Sequence, residues 1–168
     1  MLAIDADGTI RNPKSGSQFI SNPEDQEPIE EALDFLKAVK KQGHRIYVVT
    51  NQGGIAAGYK TLSDAILEQR ITLELFPMVS AVCMADDYTT SNFWLITHLG
   101  EQKVRGPLGV KARKPNPGML KYLECLLYQQ HQTYWMVGDS DDDAGAAESA
   151  GWDYLHISEA LKIGKLPQ

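Results

Sequence analysis

Apolar and polar positions along this chain follow two alternating rhythms. Short apolar or β-branched runs have the length and residue types of strands: "LAIDA" near the N-terminus, "RIYVVT" over 45–50, "VSAVCM" over 79–84, "TYWMVG" over 133–138 and "DYLHI" over 153–157. Between them lie longer stretches with helical spacing. "EPIEEALDFLKAVKKQ" (27–42) spaces Ile29, Leu33, Leu36 and Val39 along one face, with Pro28 in the first turn and Gly43 closing the C-terminus. "LSDAILEQRITLELF" (62–76) and "NPGMLKYLECLLYQQ" (116–130, Pro117 in its first turn) predict two more helices, and "DAGAAESAG" (143–151) a short one. Such alternation predicts an α/β protein with a parallel sheet covered by helices on both faces, in three layers, with right-handed crossovers. Two polar excursions interrupt the rhythm, at 11–26 and at 85–113, each following a strand. In open α/β sheets the ligand lies beyond the carboxyl ends of the strands, where both excursions begin.

The strand ends carry the chemistry. The first delivers Asp5 and Asp7, followed by Gly8 and Thr9; the second delivers Thr50 and Asn51. "ARKPNPG" places Arg113 and Lys114 ahead of a helix, and the fourth strand delivers Gly138, Asp139 and the run to Asp143. Asp-Gly alone predicts a tight turn and needs no chemistry. Several acids, a lysine and a hydroxyl on one rim are harder to explain as packing, because like charges repel unless a cation holds them. Carboxylates with room for water suit Mg²⁺, while the lysine, the hydroxyl and turn N–H groups suit phosphate oxygens. The set is consistent with phosphoryl transfer to an aspartate nucleophile.

Bulk properties narrow the class. A chain of 168 residues suits one domain spanning 1–168. A net charge of −6 provides no general attraction to nucleic acid or to an anionic membrane. No segment has the run of about 18 apolar residues that spans a bilayer, and Asp5 and Asp7 interrupt any signal-peptide core. Cys83 and Cys125 stand far apart in no metal-binding spacing, so a cytoplasmic protein without disulfides is expected.

The ordered set "DADGT", "VVTNQGGIAAG", "RKPNPGM" and "VGDSDDDAGAA" resembles the four motifs of the haloacid dehalogenase (HAD) phosphatases. The match is to the subfamily III type, which includes histidinol-phosphate and heptose-bisphosphate phosphatases and the 3′-phosphatase domain of polynucleotide kinase. The resemblance implies a Rossmann-like HAD fold with no separate cap domain and a Mg²⁺-dependent phosphatase working through an aspartyl-phosphate. It implies Asp5 as nucleophile and Asp7 as general acid and then base, with Thr50 and Lys114 on the phosphate. Gly8, Thr9, Asn51 and Arg113 are expected at the substrate. Asp5, the main-chain carbonyl of Asp7 and Asp139 are expected on the metal, with Asp143 as their outer partner. Asp141 and Asp142 read better as acids of a helix first turn. A catalytically idle relative that only binds a phosphorylated partner is the alternative, and intact Asp5, Asp7, Lys114 and Asp139 speak against it. A phosphomutase needs a water-excluding lid, for which the short excursions give no sign.

The match has gaps. Heptose-bisphosphate relatives usually carry a Cys/His zinc loop, whereas the corresponding region here reads "CMADDYTTSNFW", so no zinc is expected and Cys83 is read as a core residue. The excursion "KSGSQFISNPEDQEPI" is instead similar to that of polynucleotide 3′-phosphatases. From Lys103 to Lys114 run five cations (Lys103, Arg105, Lys111, Arg113, Lys114) and no acid, readable as a solvated loop or a second anion site. Phe93 and Trp94 read as a strand or core patch, or as a stacking face for a base. The expected substrate is thus a phosphorylated small molecule or a 3′-phosphorylated DNA end.

Overall fold

The computed structural model describes residues 1–126 and 133–167. In chain order the elements are β1 (Leu2–Ile4), β2 (Arg11–Asn12), β3 (Glu27–Pro28), α1 (Glu30–Lys41), β4 (Ile46–Asn51), α2 (Gly53–Ala56) and α3 (Leu62–Leu75). There follow β5 (Val79–Ala85), β6 (Asn92–Thr97), β7 (Gly100–Arg105), α4 (Gly118–Leu126), β8 (Trp135–Gly138), α5 (Asp141–Ala150), β9 (Asp153–His156) and α6 (Ile157–Ile163). The main sheet has the order β7-β6-β5-β4-β1-β8-β9. Strands β5, β4, β1, β8 and β9 are mutually parallel, so their carboxyl ends share one edge.

Period-two alternation in the strands builds the layers. Leu2, Ile4, Ile46, Val48, Val82 and Met84 face a core closed by Phe35, Leu36 and Val39 of α1, Leu73 of α3 and Ala160 of α6. Their sequence neighbours Ala3, Tyr47, Val49, Ala81 and Cys83 face the opposite core, with Met119, Leu120 and Leu123 of α4 and Ala146, Ala147 and Ala150 of α5. Every central strand is therefore buried on both sides, which is why the sequence shows unbroken apolar runs there. Cys83 is buried, as expected, and burial pushes its thiol well above the ordinary range, whereas Cys125 is exposed. A disulfide-exchange reagent should accordingly titrate one thiol in the native protein and two in denaturant. Two fast-reacting native thiols would contradict this placement.

Two expectations change, and one open reading is decided in favour of a core strand. The sheet is not wholly parallel: the 85–113 excursion folds into the hairpin β6–β7, which adds two antiparallel strands to β5. Phe93 is fully buried there, edge-on to Tyr122 at 5.1 Å, so it offers no stacking face to a base. The first helix begins at Glu30, not Glu27, because Glu27 and Pro28 pair with Asn12 and Arg11 as a small antiparallel ribbon. Gly43 closes that helix at φ 87°, as expected. The reach of the 116–130 helix over 127–130 lies outside the described residues. Among the described residues, no helix is long and apolar enough to cross a membrane.

Candidate active site

The site grows from the carboxyl edge of the sheet. β1 ends at Ile4, and the chain turns at once, with Ile10 N–H donating to Ala6 C=O at 2.9 Å. Asp5 faces inward and Asp7 outward on this turn. Gly8 is required twice over. Its φ is 77°, and a Cβ would stand 2.8 Å from Asp139 Oδ2, which reaches over it from the end of β8. Gly138 meets a similar limit, since a Cβ there would stand 2.3 Å from the Asp143 carboxyl carbon. The two loops interlock, and this close approach brings their carboxylates together.

Lys114 is the centre of the cluster. The side chain is only 3% exposed, and Nζ donates to Asp5 Oδ1 at 2.6 Å, to Asp143 Oδ1 at 2.6 Å and to Val49 C=O at 2.9 Å. All three ammonium donors are used. Burial by itself would lower the lysine pKa, but the two carboxylates outweigh it and hold the group above its ordinary range. Asp5 experiences the reverse balance. Burial raises its carboxyl most and Asp143 adds to the rise; Lys114 opposes both, and the result is about 6. Asp143 also accepts from Ser140 N–H at 3.2 Å and Ser140 Oγ at 2.6 Å, at the N-terminus of α5. Asp141 and Asp142 occupy the first turn of that helix, as expected.

One oxygen each from Asp5, Asp139 and Asp143 lies within 4.8 Å of the others. With Lys114 paired to two of these three carboxylates, the formal charge of the group is −2, matched by one divalent cation. The donors are all hard oxygens, and Asp139 is exposed, so water has access. That donor set fits Mg²⁺.

The other expected residues converge on the same edge. Thr9 Oγ1 donates to Asp5 Oδ2 at 3.4 Å, and Thr50 lies buried at the end of β4. Asn51 has its amide committed elsewhere: Nδ2 donates to Lys114 C=O at 3.0 Å and Oδ1 accepts from Lys114 N–H at 3.0 Å. It clamps the main chain that carries the lysine. Arg113 lies over the Tyr88 ring at 4.2 Å, close to Gly53, and its buried Nη1 has no hydrogen-bond partner among the described residues.

The sequence reading missed a group behind Asp7. Arg11 is fully buried, and its Nε and Nη2 both lie 3.0 Å from Asp7 Oδ1. Gln52 Nε2 donates to Asp7 Oδ2 at 3.1 Å and to Thr50 Oγ1 at 3.2 Å. The available signal was a cation four residues after Asp7 and an amide inside "TNQGG", both of which also suit an ordinary solvated loop.

The cation run is largely engaged. Lys103 pairs with Asp86 at 3.0 Å and lies over the Trp94 ring at 5.6 Å, while Trp94 Nε1 donates to Asp86 Oδ2 at 3.0 Å. With Arg113 on Tyr88 and Lys114 in the cluster, Arg105 and Lys111 remain exposed.

A family model described as polynucleotide kinase 3 phosphatase matches residues 1–156. The D-glycero-beta-D-manno-heptose-1,7-bisphosphate 7-phosphatase of Escherichia coli K12 is 31% identical over 89% of this chain and 73% of its own length. The enzyme of that name from Pseudomonas putida is 29% identical over 90% of this chain and 78% of its own. A crystal structure described as a HAD-like phosphatase from Mesorhizobium loti superimposes with a TM-score of 0.71 at 26% identity, covering 97% of this chain and 82% of that one. The D,D-heptose 1,7-bisphosphate phosphatase of B. bronchiseptica, solved with magnesium and phosphate, shares the fold with a TM-score of 0.65 at 21% identity, over 99% and 88% of the two chains.

Proposed function

This chain belongs to the polynucleotide kinase 3 phosphatase family of HAD phosphatases, and on that premise we propose that it is a Mg²⁺-dependent phosphomonoesterase acting through Asp5 on a small sugar phosphate. The observation that carries the reading is the buried Asp5–Lys114–Asp143 cluster, with Asp7 half-exposed two residues from Asp5.

Asp5 is the nucleophile. Its carboxylate oxygen bonds to phosphorus as the ester P–O bond breaks, and the departing alkoxide takes a proton from the Asp7 carboxyl. Asp7 then accepts a proton from water as that water attacks the aspartyl-phosphate, releasing phosphate and restoring Asp5. Lys114 holds Asp5 in place and offsets the charge gathered there, while Thr50, Gly8 and Thr9 line the phosphate position. Asn51 holds the Lys114 main chain, and Arg113, seated on the Tyr88 ring, sets a positive charge beside the substrate position. Asp5, Asp139 and the Asp7 carbonyl would hold Mg²⁺, with Asp143 behind them, and the bound ion would supply charge neutralisation for the phosphoryl group.

A sugar phosphate is favoured over a DNA end for two reasons. Heptose-bisphosphate phosphatases are among the chain's relatives, and three of the five cations that would track a nucleic-acid backbone already have partners in the fold. Phosphate release should be compared for heptose bisphosphate, other sugar phosphates, histidinol phosphate and a 3′-phosphorylated oligonucleotide, with Mg²⁺ and with chelator. We expect Mg²⁺-dependent release that is greatest on a sugar phosphate. Absence of metal-dependent release from every compound would end the phosphatase mechanism. Preference for the oligonucleotide by roughly tenfold or more, about 1.4 kcal/mol of discrimination, would move the substrate to DNA.

A further inference from the structure

Helix α3 buries an unusual stripe. Among the apolar Ala65 and Leu73 it also buries Glu68, Gln69 and Thr72, and Glu68 is fully inaccessible. A carboxylate in such a place is costly unless cations and donors surround it. Two cations do. Arg11 Nη2 donates to Glu68 Oε1 at 2.6 Å, and Lys60 Nζ pairs with Glu68 Oε2. Arg11 is further held by Gln26 Oε1 at 3.0 Å and by the Thr72 hydroxyl. Lys60 Nζ donates onward to Gln52 Oε1 at 3.2 Å.

These contacts close a ring. From Asp7 Oδ1 one arm runs through Arg11 to Glu68 Oε1. From Asp7 Oδ2 the other runs through Gln52 and Lys60 to Glu68 Oε2. Both oxygens of the surface carboxylate are thus tied to both oxygens of the buried one. The ring carries two acids (Asp7, Glu68) and two bases (Arg11, Lys60), so its formal charge sums to zero.

We propose that Glu68 is a positioning residue for Asp7, holding it through Arg11 and through Lys60–Gln52 in the orientation from which its proton reaches the leaving oxygen. The proposal rests on the phosphatase mechanism above, with Asp7 as the acid. Asp7 needs such a support because it stands on a turn with a half-exposed side chain, and that freedom would otherwise put its proton anywhere along the rim. A general acid contributes only when the leaving group needs its proton, so a positioning role predicts a loss that depends on the leaving group. A merely structural role predicts equal loss for all substrates.

The experiment measures kcat/KM, which reports the phosphoryl transfer to Asp5, on glycerol phosphate (a poor leaving group) and on dinitrophenyl phosphate (a good one). Wild type and Asp5→Asn test the underlying mechanism: Mg²⁺-dependent turnover of both compounds, lost in the variant, establishes it independently. Glu68→Gln keeps the side-chain shape but removes the charge, leaving a single acceptor oxygen for two cations. It should lower kcat/KM on glycerol phosphate by roughly 100-fold, the scale for a misplaced catalytic group. On dinitrophenyl phosphate it should lose less than about threefold, since little protonation is needed there. Lys60→Met cuts only the second arm, at the edge of the buried region, and should show the same selectivity to a smaller extent; it also decides the matter should Glu68→Gln fail to fold. Combined with Asp7→Asn, Glu68→Gln should add no further loss on glycerol phosphate. Parallel losses on both compounds, no loss on either, or full additivity with Asp7→Asn would each overturn the proposal.

Discussion

Asp5→Asn is expected to cut turnover by roughly 10⁴-fold or more, the scale seen when a covalent nucleophile is removed, without loss of the fold. Asparagine matches the volume, and Lys114 keeps Asp143 and the Val49 carbonyl as acceptors. Stability should separate the two proteins in a pH-dependent way when measured with chelator. The folded-state carboxyl of Asp5 sits at about 6, above its ordinary 3.8, so its ionised form costs stability. For an acid raised by folding, that cost is fully present above the folded value and fades as pH falls toward the unfolded one. The variant carries no such charge. Its melting temperature relative to wild type should be most favourable above about pH 6 and decline as pH drops toward 3.8. A difference that stays flat over that window would mean the Asp5 carboxyl is not raised.

Lys114→Met should be the most damaging single change for stability. It leaves Asp5 and Asp143, both buried, facing each other with no cation between them. Breaking a buried pair in this way costs on the order of 3–5 kcal/mol. For a chain of this size that is a fall of roughly 6–20 °C in melting temperature, together with loss of turnover. The penalty should shrink in acid, because protonating Asp5, whose carboxyl is already raised by burial, relieves the repulsion, and Asp5→Asn in the same chain should recover part of the loss at neutral pH. Melts across pH on the single and double variants measure both effects. An unchanged Lys114→Met melt at neutral pH would show that the lysine does not hold these carboxylates together.

The parallel core was legible because its strands are buried on both faces, and double burial leaves unbroken apolar runs such as "IYVV" that no other element needs. The site rim was legible because acids at strand ends have little packing justification. What escaped the sequence was pairing across distance. Glu27 and Pro28 carry good helix-start chemistry, yet a two-residue ribbon with Arg11 and Asn12 takes them, since Ile29 N–H finds Ile10 C=O at 2.8 Å. Arg11 lies 57 residues from Glu68 along the chain, Lys60 only eight, and each alone reads as an ordinary charged position. Only the fold brings them behind Asp7. Asn51 was expected at the substrate, whereas its amide holds the Lys114 main chain, 63 residues away along the sequence.

The β6–β7 hairpin has a consequence unrelated to chemistry. Without it the sheet would end at β5, "VSAVCMA", whose residues are nearly all apolar and whose open backbone groups would invite another molecule's strand. With it the sheet ends at β7, "GEQKVR", where Glu101, Lys103 and Arg105 stand exposed along the outer strand. A strand docking there would have to strip water from three charges of mixed sign. Two of the cations that the sequence offered as a nucleic-acid footprint, Lys103 and Arg105, therefore guard this edge of the sheet against pairing with another molecule's strand.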